Sequence, residues 1–211
     1  MTLQNRVTPL GELQALNMRG EFLGNRGILH DDEKRIVKKW RHKAWVTCSL
    51  QYQGIRREIF SKGNYSELFF LDEATALSAG HRPCGDCRRE RFKEFKLRWQ
   101  MANAPSTEAA DANGIGIGKI DQQMHAERTQ RDGTKVTYQA ILGELPDGVF
   151  VLIDGIAVLK WKSKFFDWSG TGYVERFNIL SDTLVVDVLT PKSVVGTISA
   201  GYEPQVHQSA G

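Results

Sequence analysis

Cys84-Gly85-Asp86-Cys87 is the only CxxC in the 211-residue sequence, and it is the pattern with the clearest chemistry. Two cysteines separated by two residues can bring both sulfurs to one side of a tight turn, where they share one metal ion. Zinc takes four nitrogen or sulfur ligands in a tetrahedron, so a second half-site has to come from elsewhere in the chain. Cys48 is the third and last cysteine, and the natural third ligand. The alternative reading of Cys48 is a thiol packed in the core, since free cysteine is among the most buried residue types. No fourth cysteine exists, so the fourth ligand is a histidine or a carboxylate. His30 is the first candidate, with His42 and His81 as rivals. Arg82, Arg88 and Arg89 flank the CxxC and favour the thiolate forms that bind metal. A redox CxxC would need a thioredoxin-like βαβ setting, which the surrounding pattern lacks.

Other groups could do chemistry with less support. His30-Asp31-Asp32-Glu33 gathers nitrogen and oxygen ligands suited to a metal hydrolase or nuclease site. The same residues also suit an acidic helix start with Asp31 or Asp32 as N-cap. His125 and Glu127 stand at i, i+2, on different faces of a helix, a poor spacing for proton transfer. Gly114-Ile115-Gly116-Ile117-Gly118 lacks the context and spacing of a dinucleotide fingerprint.

Net charge is +3, unevenly spread. Residues 34–98 carry 16 Lys and Arg against 7 Asp and Glu, a balance of +9, between mildly acidic ends. That pattern suits a localised anionic partner, DNA or RNA, gripped by Lys38, Lys39 and Arg41 on one segment and by Arg82, Arg88, Arg89, Lys93 and Lys96 on another. The amino terminus shows no apolar signal segment and no run approaches the ~20 apolar residues of a membrane helix, so a cytoplasmic protein without a membrane partner is expected. Composition leaves the oligomeric state open.

The elements that must position these residues can be read in order. Residues 1–33 suggest short strands and glycine turns. Residues 34–43 have an apolar stripe of Ile36, Val37 and Trp40 and predict a short amphipathic helix. Residues 44–52 alternate as a strand with Val46, Cys48, Leu50 and Tyr52 on one face, and Arg56–Phe60 and Tyr65–Leu71 continue as strands. Asp72 is an N-cap for a two-turn helix closed by Gly80. A second helix follows the CxxC to about Ala104, with Phe92, Phe95, Trp99 and Ala102 as its core stripe, and Pro105 ends it. A helix from Asp121 to Gly133 is expected next. Strands are expected at Val136–Leu142, Val149–Asp154, Ile156–Trp161, Tyr173–Phe177 and Leu184–Leu189. Thr190-Pro191 then starts a last short helix as N-cap and first residue, and the tail from Tyr202 reads as irregular and mobile. The whole is an α+β protein: a zinc-bearing basic half over 1–104 with short strands and helices, a linker over 105–119, and a β-rich half over 120–211 that packs beside the first or stands apart.

Phe69-Phe70, Ala74-Thr75-Ala76-Leu77, Ala79-Gly80 and Arg82-Pro83-Cys84-Gly85-Asp86-Cys87 together resemble the second half of the zinc-binding domain of the Ada methylation-repair family. The resemblance covers about residues 65–98. It implies that Cys84 and Cys87 bind zinc and that the following helix lies beside a DNA-facing basic surface. That family carries two further cysteines close together upstream, one of which accepts a methyl group; this chain offers Cys48 alone. Three readings follow: a zinc-ordered nucleic-acid-binding module, a metal-dependent enzyme using Cys48 as nucleophile or a His/Asp site, and a zinc-stabilised scaffold for a protein or small ligand.

Overall fold

The computed structural model describes residues 2–54, 58–104, 114–177 and 180–211, and shows a mixed α+β fold with two six-stranded sheets. Strands β1 (Arg6–Val7), β2 (Leu13–Gln14), β3 (Phe22–Asn25), β4 (Val46–Ser49), β5 (Leu68–Phe70) and β6 (Arg82–Pro83) form the first sheet, in the order β2-β1-β5-β3-β4-β6. The pairs β1–β5 and β4–β6 are parallel and the others antiparallel. Strands β7 (Tyr138–Ile141), β8 (Val149–Ile153), β9 (Ile156–Trp161), β10 (Lys164–Ser169), β11 (Gly172–Glu175) and β12 (Val185–Val188) form the second, antiparallel sheet, in the order β11-β10-β9-β8-β12-β7. Four helices complete the described fold: α1 (Glu73–Ser78), α2 (Arg89–Asn103), α3 (Ile117–Arg128) and α4 (Lys192–Ser199).

Local chemistry explains the elements around the site. The Asp72 carboxylate accepts from the Thr75 amide at 2.8 Å and caps α1, and Gly80 ends the turn at φ 84°, where a side chain is disfavoured. All six residues of α1 are buried. On α2 the predicted stripe holds at Phe95 and Trp99, which join Ile120 and Met124 of α3, Val149, Val151 and Val158 of the second sheet, and Val194, Ile198 and Tyr202 in one core. Residues on both sides of the 105–119 segment therefore share that core.

Several expectations are corrected. Residues 34–43 form no helix. The Asp31 carboxylate accepts from the Glu33 and Arg35 amides, Lys34 has φ 61°, and Val37 and Lys38 return to the Leu29 carbonyl, which makes a tight loop. Of the strand expected at Arg56–Phe60, residues 56 and 57 lie outside the described residues, and the rest is a turn. The third helix starts at Ile117 rather than Asp121 and ends at Arg128. Strand β10 has no counterpart among the expected strands: its hairpin turns on Lys162 and Ser163, both at positive φ without the glycine that marks the Asp154-Gly155 hairpin. Thr190 does not cap α4; its hydroxyl accepts from the Phe150 amide, and Glu127 accepts from Ser193 N and Oγ at that helix start. The tail is tied down: Tyr202 is buried, and the amides of Gln205 and His207 donate to Glu73 and Asp72.

Candidate metal centre

The first sheet brings the three cysteines together. β6 runs parallel to β4 with Val46 opposite Arg82 and Thr47 opposite Pro83, and the Cys84 amide donates to the Thr47 carbonyl at 2.9 Å. That register sets Cys84 beside Cys48, the next residue of β4. Beyond it the chain turns through Gly85 and Asp86, and Cys87 comes back over Ser49, whose amide donates to Cys87 Sγ at 3.4 Å and whose hydroxyl donates to the Cys87 carbonyl at 3.2 Å. The three Sγ atoms all lie within 4.8 Å of one another, an arrangement able to hold a metal ion. The core-thiol alternative for Cys48 gives way to this one: Cys48 is only partly buried and its sulfur faces the other two.

A framework outside the cysteines holds the turn in place. Arg82, immediately before Pro83, forms a two-pronged ion pair with Asp121 of α3 at 2.7 and 2.8 Å, and its guanidinium lies 5.3 Å from the centre of the Phe92 ring. Arg88, immediately after Cys87, donates to the fully buried Glu73 at 2.8 Å and lies over Phe22 at 4.4 Å. Both ends of the CxxC are thus fixed by charge-assisted hydrogen bonds to helices.

The electrostatics suit a cation. Hydrogen bonding from Cys48 lowers the Cys84 thiol to about 5, against the desolvation that raises it, and the Asp86 amide at 3.5 Å adds to the lowering. Cys87 is lowered for the same first reason and by the Ser49 amide. Cys48 is pushed far up, because its thiol donates to both neighbours and ionising it would add a third negative charge among them. Three converging sulfurs, two of them made more acidic by their neighbours, form a donor set that fits a thiophilic divalent ion.

No further Asp, Glu or His among the described residues joins the three sulfurs within that distance. His30 lies elsewhere: its Nδ1 is 2.6 Å from Ser66 Oγ and its ring stacks on Phe60 at 4.6 Å. His81 is fully buried, with Nε2 accepting from Arg26 at 3.0 Å. His42 gives its carbonyl to the Trp45 indole. Asp31 and Asp32 are paired with Arg35 and Lys62, so the suspected His/Asp cluster does not converge. Spacing along the chain could not show this, since the His30 and His81 rings are held by partners distant in sequence.

Beside the sulfurs opens a cavity of about 640 Å³, walled by Leu23, Ile59, Tyr65 and Phe69 and edged by Tyr52, Asp86 and Glu67. The Tyr52 hydroxyl donates to Asp86 at 2.8 Å. Glu67 accepts from the Phe60 amide with Oε2, while its Oε1 is buried with no hydrogen-bond partner among the described residues. Glu67 carries no signal in the sequence; it sits before a strand with no motif around it, and only the strand pairing carries it to the cysteine-bearing face.

The predicted basic residues divide in two. Arg82 and Arg88 are withdrawn from the surface into the ion pairs described, and Lys96 is half-buried. Lys38, Lys39, Arg41, Arg89 and Lys93 are exposed. Fold and site define a mixed α+β protein with a three-cysteine cluster able to hold a metal ion. Neither a protein-family model, nor a curated protein, nor a solved structure matches the chain.

Proposed function

We propose that the chain binds one zinc ion through Cys48, Cys84 and Cys87, and that the fourth position serves a small ligand or water in the adjoining cavity. The single observation that carries this is the convergence of three sulfurs at the edge of a cavity, with no fourth protein ligand among the described residues. Structural zinc sites are commonly closed by four protein ligands, whereas three leave an exchangeable position. The resemblance of residues 65–98 to the Ada zinc-binding domain supports zinc as the metal. A zinc ion so held supplies Lewis-acid polarisation to whatever fills the fourth position. The chain's own part is then to orient and exchange protons. Glu67, a buried carboxylate with one oxygen lacking a partner, is the group available as general base, and the Tyr52–Asp86 pair borders the entrance. The reading is thus a metal-assisted hydrolase. Cobalt substitution tests it: the thiolate-to-cobalt bands should shift when azide or cyanide is added, and a spectrum indifferent to both would mean a closed, structural site.

A second reading, nucleic-acid binding, rests on the exposed cations Lys38, Lys39, Arg41, Arg89 and Lys93. Phosphate contacts release counterions, so affinity for duplex DNA or for RNA should fall steeply with salt and the slope should flatten in a Lys38→Ala/Arg41→Ala variant. Binding insensitive to both would remove this reading.

A further inference from the structure

A second cavity, of about 750 Å³, lies outside the cysteine site. Trp45 lines it together with two arginines whose guanidiniums lie over its ring. The guanidinium of Arg26 lies 4.0 Å from the ring centre and that of Arg128 lies 3.9 Å from it. Both arginines are about 2% exposed. Neither is paired with an acid among the described residues. Arg26 donates to His81 Nε2 and to the Gly11 carbonyl, each at 3.0 Å. Arg128 donates to the carbonyls of Gly80 and Lys43 and meets His125 Nδ1 at 3.0 Å; its Nε is buried without a partner. Lys135, which lines the same cavity, donates its ammonium to the Ser78 carbonyl. The acid that acts on Arg128, Asp121, is already held by both prongs of Arg82, and the lining's own carboxylate, Glu12, is exposed and bonded by Gln14.

Three cations around one cavity with no paired carboxylate among the described residues are costly, because charge taken from water needs an opposite charge to offset the loss. The strain is visible in their acidities. Desolvation lowers Arg26 to about 9 and Lys135 to about 7, and Arg128 is lowered by the same cause with Arg26 adding repulsion. An anion in the cavity would relieve all three. Lys38 and Lys39, the latter donating to the Asp132 carbonyl, also line the cavity and are exposed, so that they would draw an anion in. The rest of the wall combines the apolar and aromatic Leu10, Leu13, Ile36 and Trp40 with the polar Gln4, Thr129 and Thr134. The volume falls within the range of small-molecule sites.

We propose that this cavity binds a small phosphomonoester, its phosphate seated among Arg26, Arg128 and Lys135 and its organic part against Trp40. A dianion matches the surplus charge better than a carboxylate, and a planar ring matches the indole face. The site is independent of the cysteines.

The experiment titrates full-length protein, with and without chelator, against inorganic phosphate, a nucleoside 5′-monophosphate and, at matched ionic strength, chloride. Tryptophan fluorescence and the thermal midpoint are followed. Saturable quenching and a raised midpoint are expected with phosphate and nucleotide but not chloride, unchanged by chelator. The nucleotide should bind at least about tenfold more tightly than inorganic phosphate, since the ring adds stacking. Lys135→Gln should weaken both by about tenfold or more, Lys135→Arg should largely restore them, and Trp40→Leu should weaken the nucleotide alone. Equal responses to chloride and phosphate would overturn the proposal. So would binding unaffected by Lys135→Gln and Trp40→Leu, or duplex DNA that binds where the mononucleotide does not.

Discussion

Arg26 Nε donates to His81 Nε2 over 3.0 Å, and both side chains are buried. The contact requires His81 to be neutral with its proton on Nδ1, since an imidazolium has no lone pair to accept with. Burial, with Arg26 and Arg128 nearby, holds its pKa well below the ordinary 6.5.

A pH dependence follows. The unfolded chain takes up a proton on this histidine near pH 6.5 while the folded chain does not, so the stability it contributes is present above that pH and lost as pH falls. Burial and Arg128 lower His125 to about 4, and it adds in the same direction. The urea midpoint should therefore drop between pH 7.5 and 5.5, at up to about 1.4 kcal/mol per pH unit per proton. His81→Gln should flatten the slope; an unchanged slope would show that the titration lies elsewhere.

Metal content separates the ligands from the rejected candidate. Chain purified from zinc-supplemented medium should carry about one metal per molecule by elemental analysis, and Cys48→Ser, Cys84→Ser or Cys87→Ser should each reduce it sharply. His30→Ala should leave it whole, because that ring is engaged with Ser66 and Phe60.

Glu73 holds the site's frame to the tail. Its two oxygens accept from Arg88, Arg91, the Tyr202 hydroxyl and the Gln205 amide, all at 2.7–2.9 Å. Glu73→Ala leaves the buried Arg88 without its anion, at a cost of about 3–5 kcal/mol. For a chain of this size the calorimetric midpoint should fall by roughly 10 °C. A change of a degree or two would mean that the pair contributes little.

Gly24 lies under an aromatic ring. A Cβ built there would stand 2.3 Å from Phe70 Cε2 and 2.9 Å from Cζ, with Phe70 itself fully buried. Gly24→Ala should cost about 1–3 kcal/mol by denaturant titration, since the ring has no empty space to move into.

Much of the frame is legible in the residues alone. Asp72 and Gly80 bracket α1, and Phe95 and Trp99 face the core, because capping and helical periodicity act within a few residues. The pairing of Cys84 and Cys87 on one turn is equally local. Where Asp31 takes the backbone amides that a helix would have used, or Lys162-Ser163 makes a hairpin without glycine, local signals mislead.

What the sequence by itself determined is the set of sulfurs and the short elements that carry them. Tertiary structure alone decided the rest. The parallel β4–β6 register brought Cys48 to the CxxC from 36 residues away. His30 and His81 took other partners, Glu67 turned to the cysteine-bearing face, and Arg26, Arg128 and Lys135 met around one cavity with no paired acid among the described residues. These outcomes depend on burial and on strand partners far apart in the chain, and a solvated charge and a desolvated one are written with the same residue.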